Sequence, residues 1–207
     1  MGPALPAHDT VQRRFAELLR PGTVTSRDQA LSRPSPVPPR PGIYAWYFDV
    51  PPSGVPTAGT HHTEFGDLLY VGISPKEPPR NGKPPSKGNL RARIQTHYRR
   101  NASSSTLRLT LGSLLSNELG IQLRRIGSGG RLHFGDGEAA LSLWMEEHAR
   151  VCWMVDPEPW LAESELISGL VLPLNLDQNK SGGFYRTLKD ARDEQRHVAR
   201  SLPVVSR

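Results

Sequence analysis

Two apolar runs, residues 43–48 and 68–72, constrain this chain more than any other feature. Each is too short for a stable helix, is bounded by proline or glycine, and is rich in β-branched and aromatic residues, so both read as buried strands. The first follows Gly42 as Gly42-Ile43-Tyr44, and the second closes as Tyr70-Val71-Gly72. Next comes the run 89–97, whose Leu90 and Ile94 continue to Tyr98 at helical spacing, with Asn89 as its N-cap. Arg93 and His97 share one face of that helix, beside its apolar stripe. A tyrosine on each of two paired strands, with an arginine and a histidine on the next helix, directs four polar tips at what would be one phosphate.

The rest of the chain supplies elements to pack against these. Asp9 and Thr10 cap an amphipathic N-terminal helix carrying Val11, Phe15, Leu18 and Leu19, which Pro21-Gly22 ends. Residues 31–41 are too proline-rich for a helix or a central strand and read as a stiff linker. Residues 49–66 form a loop holding His61 and His62, a pair with no third ligand and hence solvated rather than metal-binding. Helices are expected over 106–119, with Leu107, Leu111, Leu114 and Leu115 inward, and over 138–149, where His148 flanks the core beside Leu141, Trp144 and Met145. Between them, strands 121–126 and 131–134 flank the turn Gly127-Ser128-Gly129-Gly130, which no strand–turn–helix unit follows, so it is not a dinucleotide loop. Continuous apolar character makes 151–155 a central strand. A helix from 157 or 158 to 171 follows, and the charged helix 185–199 reads as peripheral. The resulting plan is an N-terminal helix and linker over 1–40, one domain over 41–180, and a C-terminal helix and tail over 181–207.

Charge then narrows the partner. A net charge of +6 calls for an anionic surface, nucleic acid before membrane, because no basic amphipathic helix with a large apolar face is present. The loop 75–88 concentrates this charge in Lys76, Arg80, Lys83 and Lys87 among five prolines, against one acid, Glu77. Placed just before the helix of Arg93, it is suited to run along a phosphate backbone, although a merely solvated insertion has the same composition. Arg91, Arg99 and Arg100 on that helix are further candidates for backbone contact. Cys152 is the single cysteine, which rules out an internal disulfide and points to a reducing, cytoplasmic setting. No apolar stretch is long enough for a spanning helix, and the N-terminus lacks the apolar core of a signal peptide.

Among the acids, Glu163 stands out. Trp160, Ile167 and Leu170 lie at −3, +4 and +7 from it, so it projects from the apolar stripe of its helix, whereas Glu165 groups with Ala162, Ser168 and Gly169 toward solvent. A buried carboxylate is costly unless it is paired or holds a metal ion. A buried salt bridge is the rival reading.

Taken in order, Gly-Ile-Tyr, Tyr-Val-Gly, Arg93, His97, Glu163 and the Pro-Leu-Asn ending at Asn175 resemble the GIY-YIG nuclease superfamily over residues 42 to 175. The resemblance implies an α+β fold, a small, largely antiparallel central sheet flanked by helices, with long loop insertions. It implies phosphodiester hydrolysis with one divalent ion, Mg²⁺ or Mn²⁺, held by Glu163 and no small-molecule cofactor. Tyr44 would then be the general base, Tyr70 and His97 would tune it or relay its proton, and Arg93 would neutralise the phosphate. Asn175 would orient the backbone or a tyrosine. Two departures stand out: the twenty-five residues between the tyrosines exceed a minimal hairpin, and Ile73 stands where several relatives place lysine. The expectation is a DNA endonuclease, with a non-catalytic nucleic-acid-binding module of the same fold as the alternative.

Overall fold

A computed structural model describes residues 11, 13–81, 86–127, 130–176, 180 and 182–206. Its centre is strand β1 (Gly42–Phe48), all seven residues of which are buried. Strands β2 (His61–Thr63), β3 (Gly66–Ser74) and β6 (Ala149–Val155) complete an antiparallel sheet in the order β2-β3-β1-β6. A separate hairpin pairs β4 (Arg124–Ile126) with β5 (Arg131–His133).

Alternation along β1 divides the core in two. Tyr44, Trp46 and Phe48 face helices α3 (Leu90–Arg99), α4 (Thr106–Leu114) and α5 (Gly137–His148), where Leu90, Ile94, Tyr98, Leu107, Leu111, Leu141 and Met145 are buried. Ile43, Ala45 and Tyr47 face the other way, toward Phe15, helix α1 (Ala16–Leu19) and helix α6 (Trp160–Ser168) with its Ala162, Leu166 and Ile167. Both faces are covered, which is why the strands read as continuous apolar runs rather than alternating ones.

Register places the two signature tripeptides against each other. Tyr44 pairs with Gly72 and Trp46 with Tyr70, and a bulge between Trp46 and Tyr47 leaves Leu69 without a register partner on β1 just before Tyr70. A Cβ at residue 72 would collide with the Tyr44 hydroxyl and ring. Only glycine lets that ring cross the neighbouring strand. Gly42 is confined in the same manner by the Met154 carbonyl and Leu90.

Several sequence expectations need correction. The 151–155 strand is an edge strand, not a central one; its outer side is covered by a single pair with Thr25, whose N–H donates to the Val151 carbonyl at 2.8 Å and whose carbonyl accepts from Val151 N–H at 3.0 Å. The linker does more than space: Val37 is buried, and the Val37, Pro38 and Arg40 carbonyls accept from Arg91 Nε, Arg91 N–H and Leu90 N–H. The loop 49–66 contains β2, with His62 on Asp67 and His61 on the Leu19 carbonyl. The helix expected over 106–119 ends at Leu114, and all of residues 107–113 are buried because helix α7 (Tyr185–Ser201) covers its remaining face. That charged C-terminal helix is therefore not peripheral: Leu188, Arg192 and Ala199 are buried along it. Its far end is tied down by Arg125, which donates to the Leu202 carbonyl, and by Gln195, which accepts from Leu123 N–H. The capping residues Asp9 and Thr10, Lys83 and the turn residues Ser128 and Gly129 lie outside the described residues.

Candidate active site

A cavity of about 310 Å³ that draws its walls from both α4 and α6 is lined by Tyr44, Tyr70, Arg93, Glu163 and Asn175. Five of the six residues singled out from the sequence thus meet around one space. The sixth, His97, does not line it: fully buried, it stands behind Tyr44 with Nε2 2.9 Å from the tyrosine oxygen. Its other nitrogen, Nδ1, lies 2.7 Å from the Ser105 hydroxyl. Arg93 donates through Nε to the Tyr44 oxygen at 3.4 Å and through a terminal nitrogen to the Ser104 carbonyl at 3.1 Å.

Electrostatics follow from this burial. Desolvation raises the Tyr44 hydroxyl above the ordinary tyrosine range, and Tyr70 adds to the rise, while Arg93 opposes it. Tyr70 is raised for the same first reason, with Thr106 and Arg93 pulling the other way. His97 is held well below the usual histidine value by burial and then by Arg93 and Arg108, so it is neutral near pH 7. The lowering that Arg93 gives Tyr44 is thus present but outweighed by desolvation.

Asn175 hydrogen-bonds the backbone of β3. Its amide accepts from Val71 N–H at 2.9 Å and donates to the Val71 carbonyl at 2.8 Å. Together with Leu174 N–H on the Leu69 carbonyl at 3.1 Å, it satisfies the edge of β3 beyond β2. Unpaired buried backbone groups are costly, so this side chain holds the strand that carries Tyr70. Glu163 sits on the wall of the cavity, only part-buried, rather than inside the apolar stripe of α6. That stripe is Ala162, Leu166 and Ile167, and Glu165 forms an ion pair with Arg14 rather than facing solvent freely.

A family model of the GIY-YIG catalytic domain matches residues 42–194, well over half of the chain. The chain belongs to the GIY-YIG family. No curated protein and no solved structure matches it closely enough to add to this. Membership makes it a nuclease by family, with the small antiparallel sheet and flanking helices that the fold requires.

GIY-YIG nucleases generally use a divalent ion, and the residues here fit one of a particular kind. Among the described residues no three His, Cys, Asp or Glu side chains converge into a cage. What the cavity offers is the Glu163 carboxylate, with Glu77 at its rim. A hard cation that keeps most of its waters and binds phosphate oxygens suits such a site, as Mg²⁺ does.

The structure also adds residues that sequence reasoning missed. Arg192 lines the same cavity, brought there by α7. A signal for it existed: Leu188, Arg192, Gln195 and Ala199 lie at i, i+4, i+7 and i+11, an inward stripe with one arginine in it. Thr106 and Thr110 of α4 form part of the wall, as does Lys76 at the root of the basic loop. Arg80, Lys87, Arg99 and Arg100 are exposed, whereas Arg91 is engaged with the Val37 carbonyl.

Proposed function

We propose that this GIY-YIG nuclease is a divalent-ion-dependent DNA endonuclease. The observation that carries the reading is the convergence of Tyr44, Tyr70, Arg93 and Glu163 on one polar cavity. Glu163 would hold the ion, which when bound supplies charge neutralisation at the phosphate. Arg93 faces the non-bridging oxygens, where a planar fork matches developing negative charge. Arg192 and Lys76 take the place of the cation that Ile73 cannot provide. Tyr44, once ionised, accepts the proton of the attacking water; the new P–O bond forms as the bond to the leaving sugar oxygen breaks. Tyr70 holds Tyr44 in line, and Asn175 keeps the strand beneath them in register. Exposed Arg80, Lys87, Arg99 and Arg100 track the flanking backbone, which positions the duplex without reading sequence.

Incubating the protein with supercoiled, branched and single-stranded DNA, with Mg²⁺ or Mn²⁺ and with chelator, tests this directly. Cutting is expected only with the metal, and Glu163→Gln should fold and bind DNA yet not cut. Retained cutting in Glu163→Gln with loss in Glu165→Gln would assign the metal to the wrong carboxylate. Tight binding with no cutting under any condition would leave a nucleic-acid-binding module instead.

A further inference from the structure

The segment joining α3 to α4 grips the active site from behind. The Ser104 carbonyl holds Arg93, the Ser105 hydroxyl touches His97, and Thr106 lies beside Tyr70. Three consecutive residues of the run 103–106 therefore set three side chains of the site.

The middle one has a proton to account for. Ser105 is 1% exposed and His97 is fully buried, so no bulk water competes for either group. Ser105 caps α4 by accepting Arg108 N–H at 3.0 Å. Among the described residues its hydroxyl has one other neighbour, His97 Nδ1 at 2.7 Å. If Nδ1 carried the ring proton, the hydroxyl oxygen would receive two donors and its own proton would be buried with no acceptor, a penalty native structures avoid. If the hydroxyl donates to Nδ1, every group is satisfied, and the ring proton must sit on Nε2.

We infer that Ser105 fixes His97 as the Nε2–H tautomer, so that His97 donates to the Tyr44 oxygen and cannot take its proton. Tyr44 then receives two donors, His97 Nε2–H and Arg93 Nε–H, and its own O–H is left to point toward the cavity. Two donors on one phenol oxygen favour its ionised form, the form that a base requires. The proton that leaves Tyr44 goes out through the cavity and not inward through the imidazole. Ser105 and His97 are thus positioning residues. The tautomer stands on the hydrogen bonds alone, whereas its consequence for cleavage rests on the endonuclease reading above.

The test pairs a spectrum with a rate. Nitrogen-15 NMR of the histidine rings in the metal-free full chain, with the His97 signal assigned by its absence in His97→Gln, should show Nε2 protonated and Nδ1 bare. An Nδ1–H ring in the wild type overturns the proposal. Ser105→Gly removes the hydroxyl but spares the helix start, since glycine is a tolerable N-cap. It should give mixed tautomers and slow single-turnover cleavage by about tenfold, the worth of one positioning hydrogen bond. Ser105→Thr should recover most of that loss. Wild-type tautomer and rate in Ser105→Gly would sink the idea. His97→Gln keeps an amide donor near the Nε2 position but has no basic nitrogen, so it should retain far more activity than His97→Ala; equal losses would make the ring a proton acceptor. A wild-type chain that cuts no DNA defeats the endonuclease reading, and the spectrum still decides the tautomer.

Discussion

Tyr44 and Tyr47 lie three residues apart on β1, both buried, both raised above the ordinary tyrosine range by desolvation, yet on opposite faces of the sheet. Tyr47 donates to the Leu18 carbonyl at 2.7 Å, a partner that needs the phenol proton to stay. Tyr44 meets Arg93 Nε and His97, and the guanidinium favours losing that proton. The same contrast separates two arginines near the site. Arg108 is fully buried and spent on Glu138 at 2.7 Å and on the carbonyls of His97 and Tyr98. Arg93 donates instead to a phenol and a carbonyl, neither of which neutralises its charge as the carboxylate does for Arg108. Burial is common to both faces; the sign of the partner is what distinguishes a site from a core.

The largest expected effect tests that distinction at once. Tyr44→Phe keeps nearly all packing but removes the proton acceptor, so single-turnover cleavage should slow by about 10²–10⁴ while the melting temperature barely moves. Equal rates for Tyr44→Phe and wild type would erase the comparison.

Next in size, Arg108→Met strands the Glu138 carboxylate and should cost ~3–5 kcal/mol of stability in denaturant unfolding. Arg93→Lys should do the reverse, leaving stability near wild type and slowing cleavage, because an ammonium lacks the fork. A shared phenotype for the two would mean that both arginines are structural.

Acid should reveal the buried imidazole. The folded state keeps His97 neutral, whereas the unfolded chain protonates it below the ordinary value of about 6.5. The unfolded state then binds more protons, so stability falls with falling pH below about 6.5, by up to ~1.4 kcal/mol per unit for this one group. Denaturation midpoints measured from pH 7 down to pH 5 should show a shallower decline in His97→Gln. Identical slopes would mean that the ring is not held neutral.

Smallest is Tyr47→Phe, which should lose ~1 kcal/mol of stability through the Leu18 hydrogen bond and leave the cleavage rate alone. A catalytic defect there would show that the two faces are coupled.

Much of this was legible before any coordinates. The strand pair and the helix of Arg93 and His97 follow from short periodic runs whose spacing is locally determined, whereas the meeting of both tyrosines with Glu163 is what the family resemblance implies. What could not be read were facts of long-range packing. Residues 151–155 look central because Thr25 and flanking elements cover an edge strand, and apolarity reports cover, not position in the sheet. The C-terminal helix looks solvated because its inward stripe holds Arg192 and Gln195, and Gln195 finds its partners Gln122 and Leu123 far away in sequence. His97 was expected at the phosphate, but nothing local says that Tyr44 stands between them. Glu163 is read from a stripe of Trp160, Ile167 and Leu170, whereas Ala162 and Leu166 are buried with Ile167 and Trp160 only flanks the core, a difference that short-range spacing does not reveal.

Gly72 carries one more consequence. The Tyr44 ring occupies the space where a side chain at residue 72 would stand, and the contact involves ring carbons as well as the hydroxyl. The two tripeptides are therefore a single constraint written in two places. A descendant that gave up nuclease activity could exchange Tyr44 for phenylalanine freely, but the remaining ring would still bar anything larger than hydrogen opposite it. Only after the ring itself shrank would the glycine be released. Van der Waals radii thus set the order in which a decaying copy of this protein can shed its signature: hydroxyl first, ring second, glycine last.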